Sequence, residues 1–321
     1  MPAYNAEAYV ADAVASILRQ TFVDLELLVV DDGSTDTTQR ILAQFDDHRL
    51  TVITLPHNGG YTKALNIAIE HARGEILVRQ DADDLSRPGR IAAQVARLRS
   101  DERLAIVGSD IEVIDDAGAP IRIDRQPRSD AEIRVRALFQ NPFAHSSVAF
   151  RRRDIATLGH AYDPSLEPSE DYGLWCDLLT LGNGANIPKA LVAYRIHPGQ
   201  VSSTRAQRQE RAASIVARRN LATLGIEADD AELSAARVLT QGFPRHLSLE
   251  ERAGARLLLK ALHQLRGRRS ERSIHRECRR VARRLAAAAP RSILTDRALI
   301  ANVTRLDPLA PVAAIRNAVV R

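Results

Sequence analysis

Short apolar runs alternate with amphipathic segments along the first part of the chain. Apolar residues recur at helical spacing between 9 and 18, and the run at 25–30 is typical of a buried strand. The alternation continues with a helix over 36–46, a strand over 50–55, a helix over 62–73 and a strand over 75–80. This rhythm predicts an α/β fold with a doubly wound, mainly parallel sheet and helices on both faces.

The last part of the chain has a different pattern. Apolar spacing of three and four predicts helices separated by glycine-containing breaks, over 207–224, 229–241, 248–265 and 270–288. We place the boundary near 202–207. The chain is therefore expected to divide into an α/β region, 1–204, and an all-helical region, 205–321.

Charge supports this division. The net charge of the 321 residues is +5, but 1–204 holds 21 Lys and Arg against 29 Asp and Glu, whereas 205–321 holds 24 against 11. Such an asymmetry indicates different partners for the two regions.

Arginines line one side of the last predicted helix: Arg269, Arg272, Arg276, Arg280 and Arg283. A solvated face is the commonest role of such a pattern, and contact with an anionic membrane is the alternative. We predict no nucleic-acid partner, because no binding motif accompanies the charge.

Several classes of protein are disfavoured by the sequence. It has no run of eighteen apolar residues that could span a bilayer, and its start shows no basic segment followed by an apolar one. The two cysteines, Cys176 and Cys278, are far apart and outside any metal-type spacing. We expect both to be buried in a protein of the reducing cytoplasm.

Acidic clusters follow two of the predicted strands. Asp31-Asp32-Gly33-Ser34 follows the strand at 25–30, and Asp81-Ala82-Asp83-Asp84 follows the strand at 75–80. Because ligands of such sheets bind beyond the carboxyl ends of the strands, both clusters should face one crevice. Carboxylates this close repel one another and favour a bound cation. The sequence lacks G-x-G-x-x-G and P-loop motifs, so a nucleotide here would be held by carboxylates and a divalent cation.

Further motifs accompany the two clusters. They are Pro2-Ala3-Tyr4-Asn5, Asn58-Gly59-Gly60, Ala64-Leu65-Asn66, Ala72-Arg73-Gly74-Glu75, Glu170-Asp171 and Tyr194-Arg195-Ile196-His197. Over about 1–204, this ordered set resembles the family 2 glycosyltransferases, of the type that builds bacterial surface polysaccharides. The resemblance implies a GT-A fold, a nucleotide-diphosphate sugar donor and inverting transfer to a hydroxyl acceptor.

The resemblance also implies roles for individual residues. The nucleotide would be bound by Pro2, Tyr4, Asn5, Asp31, Asp32, Asn66 and Asp81. Mg²⁺ or Mn²⁺ would be held by Asp83, Asp81 and His197, and Asp171 would be the general base with Glu170 in support. His145 and Arg195 are candidates for contact with the donor or acceptor sugar, although a buried structural role for His145 is equally open. A structural role is preferred for Asp84, and a position on the helix surface is preferred over phosphate contact for Arg87 and Arg90.

The implied partners are a UDP- or dTDP-type sugar donor and a glycan or lipid-linked acceptor at the cytoplasmic side of the membrane. Two alternatives stay open: a nucleotidyltransferase on a related fold, and a degenerate sugar- or lipid-binding module. Members of this family carry a full apolar strand before Pro-x-Tyr-Asn, whereas only Met1 precedes it here. We therefore expect the first strand to be truncated and the natural start to lie upstream of Met1.

Overall fold

The structure is a computed structural model that describes residues 1–200, 205–269, 271–312 and 314. Residues 201–204, at the predicted boundary, and residue 270, the predicted start of the last helix, lie outside these ranges. The chain forms two compact units. The first comprises 1–130 and 142–212, and the second comprises 131–141 and 213–321.

The first unit begins with a three-stranded parallel sheet. Its strands, in spatial order, are β1 (Pro2–Ala3), β2 (Leu27–Asp31) and β3 (Leu50–Thr54). Asp31 is paired with Ala3 on one side and with Thr54 on the other. The carboxyl ends of all three strands therefore lie at the same edge, and Asp32 follows directly beyond it.

Helices connect and cover the strands. Those up to residue 181 are α1 (Val10–Leu18), α2 (Thr38–Leu42), α3 (Tyr61–His71), α4 (Arg90–Ser100), α5 (Asp130–Ala137), α6 (Arg152–Leu158) and α7 (Glu170–Leu181). Short 3-10 helices occur at His145–Ser147 and Pro164–Leu166. The apolar face of α1 packs on β2 in a core that includes Val10, Val14 and Val29, each fully buried. This burial of one apolar stripe is what the helical spacing predicts.

The second sheet of this unit is mixed. It contains β4 (Ile76–Val78), β5 (Leu85–Ser86), β6 (Leu104–Ile114), β7 (Pro120–Asp124), β8 (Ala149–Arg151) and β9 (Asn183–Arg195). The spatial order is β4-β8-β6-β9-β5, with β7 paired to β6. Only β6 and β9 pair in parallel among these described strands, and the other pairs are antiparallel.

The GT-A type α/β fold expected from the sequence is confirmed, and so are the early strands and helices. The antiparallel pairs were not predicted, because apolar runs mark strands without giving their direction. They matter for the site, because β8 pairs with β4 and β9 pairs with β5, so that distant segments flank the loop between β4 and β5. His145 precedes β8, and His197 follows β9.

The second unit consists of helices. They include α9 (Asp230–Gln241), α10 (Leu249–Arg268), α11 (Arg272–Ala288), α12 (Pro290–Leu294) and α13 (Arg297–Leu306). Helix α8 (Ala206–Thr223) begins in the first unit and belongs to the second from residue 213 onward. Ser248 and Glu251 form a capping box at the start of α10. On α11, Ile274, Cys278 and Leu285 are buried in the helical core, so the opposite, arginine-bearing face points outward.

Segment 131–141 belongs to this helical unit, although the sequence analysis assigned it to the α/β region. Its apolar side chains Ala131, Val135, Leu138 and Phe139 pack in the same core as α9 and α10. The segment lies between strand-bearing stretches, so the sequence gave no signal of this tertiary packing. The short helix α12 and helix α13 were also not delimited by the sequence analysis.

Each unit contains one cysteine. Cys176 lies on α7 and Cys278 on α11; both are buried and neither forms a disulfide. Burial raises the pKa of the Cys278 thiol to about 12. The only tryptophan of the sequence, Trp175, is fully buried on α7 and contacts the rings of Phe150 and Tyr162.

Candidate active site

A cleft of about 610 Å³ opens where strands β1, β2 and β4 end. Most of the predicted site residues line it: Pro2, Tyr4, Asn5, Asp32, Asp81, Asp83, His145, Glu170, Asp171 and His197. The fold brings together residues that are up to 195 positions apart in sequence: those of β1 and β2 lie at the carboxyl edge of the parallel sheet, and Asp81 and Asp83 follow β4 of the mixed sheet. The cleft belongs entirely to the first unit.

Asp81 is surrounded by hydrogen-bond donors. Its Oδ1 accepts hydrogen bonds from the Tyr61 hydroxyl at 2.8 Å and from the guanidinium of Arg79, and its Oδ2 accepts one from the Ser146 hydroxyl. Burial works against ionisation, but the adjacent Arg79 charge outweighs it and holds the pKa of Asp81 below its ordinary value. Asp81 is therefore an oriented, ionised carboxylate.

The pKa values of Asp83 and Asp84 are shifted in the opposite direction to that of Asp81. Burial, together with repulsion from the neighbouring carboxylates, raises the pKa of Asp83 and raises that of Asp84 well above its ordinary value. Single ligand atoms from Asp81, Asp83 and Asp84 lie within 4.8 Å of one another, which would suit a metal ion. A bound cation would remove the repulsion that raises these pKa values.

The three carboxylates differ in access. Asp83 lines the cleft, and its Oδ2 lies 3.1 Å from Nε2 of His197. Asp84 is 1% exposed and points inward, where it accepts hydrogen bonds from the Arg195 amide at 2.8 Å and from the Ser146 hydroxyl. Asp83 and His197 therefore present their polar atoms at the cleft, whereas both Asp84 oxygens are engaged in the fold.

Arg90 supports the acidic loop, residues 81–84, from the protein interior. It is fully buried, and its guanidinium donates to Gln80 Oε1 at 2.8 Å and to the carbonyl oxygen of Arg79. Gln80 in turn donates to the Asp84 carbonyl oxygen at 2.7 Å. The expected helix-surface role of Arg90 is wrong, because its amphipathic helix turns this residue toward the loop. Arg87 does lie at the surface, where it pairs with Glu112.

His145 is held in one protonation state by its neighbours. The Arg79 Nε–H donates to its Nε2 at 3.0 Å, so Nε2 must carry a lone pair. The proton is then on Nδ1, which faces the Tyr61 hydroxyl at 3.3 Å. Burial and the Arg79 charge hold the pKa of His145 well below its ordinary value. A neutral imidazole therefore links Arg79 to Tyr61 behind Asp81.

Glu170 and Asp171 lie in the first turn of α7 and line the same cleft as Asp81 and Asp83. Asp171 is partly exposed, whereas Glu170 is only 3% exposed. Burial, and secondarily the adjacent Asp171 charge, raises the pKa of Glu170 to about 8. The pair therefore combines one partly hydrated carboxylate with one that is removed from water.

The β2 end of the cleft is ordered by main-chain contacts. Asp32 accepts hydrogen bonds from the amides of Gly59 at 2.7 Å and Gly60 at 2.9 Å. Gly33 has φ +70° and lies so close to the His57 backbone that a Cβ would come within 2.6 Å of it. Only glycine fits such an approach, so Asp32 and Gly33 tie the end of β2 to the loop before α3.

Three predicted site residues do not line the cleft. Asp31 is fully buried and accepts hydrogen bonds from the Gln39 amide and the Ser34 N–H. Asn66 forms a pair of hydrogen bonds with the backbone of Tyr162. Arg195 donates to the carbonyl oxygens of Asp83, Asp115 and Asp116. The structure thus shows these three side chains in contacts within the fold, and their predicted ligand contacts stay predictions.

Other residues of the site were missed by the sequence analysis. Arg79, Tyr61 and Ser146 surround Asp81, and the ring of Tyr9 packs at a tilt against that of His197 with centroids 5.0 Å apart. The position of Arg79 directly before the acidic cluster, after an apolar run, was a signal that could have been used. Tyr61, Ser146 and Tyr9 carry no comparable local signal, because only the tertiary fold brings them to the cleft.

Comparisons with known proteins agree with this geometry. The model of the glycosyl transferase family 2 matches residues 1–158. A glycosyltransferase of Haemophilus influenzae is 32% identical over 229 residues, which cover 68% of this chain and 71% of that protein. The O-antigen biosynthesis glycosyltransferase WbnJ of Escherichia coli is 30% identical, over 61% of this chain and 78% of WbnJ.

Solved structures show the same fold. TarS 1–349 of S. aureus in complex with UDP-GlcNAc aligns over 98% of this chain and 90% of its own, with a TM-score of 0.59 and 18% identity. The mannosyltransferase PcManGT of Pyrobaculum calidifontis, in complex with GDP-Man and Mn²⁺, aligns over 99% of this chain and 85% of its own, with a TM-score of 0.52 and 20% identity. The fold and the cleft define a GT-A glycosyltransferase. The chain belongs to family 2 of the glycosyltransferases.

Proposed function

We propose that this glycosyltransferase moves a sugar from a UDP- or dTDP-type donor to a hydroxyl acceptor, with inversion at the anomeric carbon and the aid of a divalent cation. The observation that carries the proposal is a single cleft that is lined by Asp81, Asp83 and His197 and also by Asp171. The family membership and the relatives that bind sugar nucleotides support the same chemistry.

Asp83 and His197 are our proposed ligands for the cation, Mg²⁺ or Mn²⁺. A carboxylate and an imidazole suit such ions, and both side chains present polar atoms at the cleft. When bound, the cation stabilises negative charge on the diphosphate that leaves with the nucleotide. Asp81, which already accepts several donors, is the proposed contact for the ribose or a further ligand.

The nucleotide itself is proposed to lie along the β1 and β2 edge. Pro2, Tyr4 and Asn5 line the cleft there, and Asp32 lies beside them. Carboxylate and amide oxygens accept hydrogen bonds from a base N–H or from ribose hydroxyls. Asp31, one residue before, would contribute by holding Ser34 and Gln39 in place.

Asp171 is the proposed general base. Its position in the first turn of α7 places it near the positive end of the helix dipole, which favours its ionised form. In the proposed reaction, Asp171 takes the proton of the acceptor hydroxyl while that oxygen attacks the anomeric carbon and the bond to the diphosphate breaks. Attack from the face opposite the leaving group inverts the configuration.

Incubation with Mn²⁺ and a panel of sugar nucleotides tests the proposal, with release of free nucleoside diphosphate as the readout. We expect one donor class to be consumed, faster when a glycan or lipid-linked acceptor is added. If no UDP- or dTDP-sugar stabilises the protein against heat or is consumed with any acceptor, the proposal is refuted.

The setting we propose is glycan assembly at the cytoplasmic face of the cell membrane, with peripheral contact through α11. In the described residues, no helix is both long and apolar enough to cross a bilayer. Four exposed arginines of α11 form no ion pair with any described residue: Arg272, Arg276, Arg279 and Arg284. Each basic side chain near anionic lipid contributes about 1 kcal/mol of binding. Exposed Leu309 and Val312, 64% and 60% accessible, add apolar surface to the same unit.

Flotation with vesicles tests this contact. We expect binding to vesicles that contain anionic lipid, loss of binding at high salt, and at least about a hundredfold weaker binding after Arg272, Arg276 and Arg279 are changed to Glu. The matched control changes three exposed cations of the first unit, Arg40, Arg125 and Lys189, to Glu. Equal loss in both triple variants, or no binding at any salt concentration, contradicts the membrane contact.

A further inference from the structure

Glu170 occupies an unusual environment for an acidic side chain. It is the first residue of α7, lines the cleft and is only 3% exposed. Its Oε2 is buried and makes no hydrogen bond with any described residue. Buried polar atoms are nearly always satisfied, so an orphaned carboxyl oxygen at a cleft indicates a partner that binds there.

No cation balances Glu170 among the residues that the structure describes. The charged neighbours that influence it are Asp171 on the same helix, Glu167 in the preceding loop and Arg79 after β4. Glu167 is paired with Arg205, and the Arg79 guanidinium contacts Asp81 and His145. The third guanidinium nitrogen, Arg79 Nη1, is buried and makes no hydrogen bond with any described residue, so it does not pair with Glu170. The phenol of Tyr162, also close enough to influence the site, is neutral, because burial raises its pKa.

An ionised carboxylate in this place would be unfavourable. It would have lost its hydration, would lack a pairing cation and would lie beside two other carboxylates. Protonation removes all three penalties and converts an acceptor-only group into one that can also donate a hydrogen bond. The raised pKa, near 8, agrees with this geometric argument.

We propose that Glu170 is a neutral carboxylic acid in the working enzyme and donates a hydrogen bond into the cleft, to an oxygen of the bound sugar. This inference rests on the proposed function for the identity of the ligand, and it separates the two acidic residues of α7 into different roles. Asp171 takes the proton from the acceptor. Glu170 holds its own proton, and so adds no negative charge beside the developing diphosphate.

The kinetic test compares Glu170→Gln, which keeps the shape and stays neutral, with Glu170→Ala, over about pH 6 to 9.5. We expect kcat/KM of the unchanged enzyme to fall above about pH 8, where Glu170 ionises. Glu170→Gln should lose less than about tenfold at pH 7 and show no such fall, whereas Glu170→Ala should lose at least about tenfold more than Glu170→Gln. A Gln variant that is as impaired as the Ala variant, with the alkaline fall unchanged, overturns the proposal.

An infrared difference spectrum gives a readout that does not need activity. The unchanged protein minus Glu170→Gln should show the carbonyl band of a protonated carboxyl at pH 6, and this band should disappear at about pH 9.5. Absence of the band at pH 6 refutes the neutral state. If the band is present but the protein transfers no sugar, the protonation of Glu170 is supported and the proposed function is wrong.

Discussion

The stability of the first unit should depend on pH through Glu170. The ordinary pKa of this group is 4.5, and the folded chain raises it to about 8. The stabilisation from the bound proton is fully present below the unfolded value, declines as the pH rises from there, and is fully lost above about 8. Each unit of pKa difference corresponds to about 1.36 kcal/mol, so the group accounts for about 3 kcal/mol of lost stability between about pH 6 and pH 9.

Trp175 makes this loss measurable in the unit concerned. It is the only tryptophan, is fully buried on α7 and lies five residues from Glu170. Urea unfolding followed by its fluorescence therefore reports the free energy of unfolding of the first unit. We therefore compare the free energy of unfolding of Glu170→Gln with that of the unchanged protein at each pH. The difference, variant minus unchanged protein, should be about 3 kcal/mol larger at pH 9 than at pH 6.

The matched control is Glu70→Gln, a change of the same chemistry at an exposed site whose stability difference should not vary over this pH range. The reasoning is refuted if the stability of Glu170→Gln follows that of the unchanged protein at every pH. It is also refuted if the two variants behave alike, because the effect would then come from net charge and not from the environment of Glu170.

Three further predictions follow from the site. Asp83→Ala should abolish the additional rise in melting temperature that Mn²⁺ gives in the presence of a nucleoside diphosphate, whereas Asp46→Ala at the surface should keep it. If Asp83→Ala also keeps this rise, the cation binds elsewhere. Asp171→Asn should bind the donor with unchanged affinity by calorimetry yet lose at least about a hundredfold in kcat, and substantial residual transfer would exclude it as the base. Arg90→Met should lower the free energy of unfolding by about 3–5 kcal/mol in urea titrations, because it leaves buried carbonyl and amide oxygens unsatisfied. A loss below about 1 kcal/mol would contradict the role of Arg90 in holding the acidic loop.

The sequence predicted the parts of the site that depend on local pattern. Apolar runs followed at once by Asp32 or by Asp81 and Asp83 were sufficient to mark the strand ends that carry these residues, although the second cluster follows β4, which belongs to the mixed sheet and not to the parallel one. The early helices were predicted from spacing alone. Glu170 and Asp171 were located only through the family resemblance, since acidic residues are common in first turns.

Residues whose roles depend on tertiary contacts were not predictable in this way. Arg90 lies in an amphipathic helix with other arginines, and nothing local distinguishes it from the exposed Arg99. Arg195 is a cationic side chain of the kind that often contacts phosphates or sugars, yet its guanidinium is held by carbonyl oxygens of the β6–β7 turn and the acidic loop. The sequence pattern also gave no reason for segment 131–141 to pack with helices that follow seventy or more residues later.

The distribution of the two cysteines has a practical consequence. Because each unit has one buried thiol, alkylation of the native protein proceeds only when the surrounding unit opens. The modification rate at Cys176 therefore reports opening of the nucleotide-sugar unit, and the rate at Cys278 independently reports opening of the helical one. A single mass-spectrometric time course, with and without donor, would measure how far ligand binding suppresses fluctuations in each half of the chain.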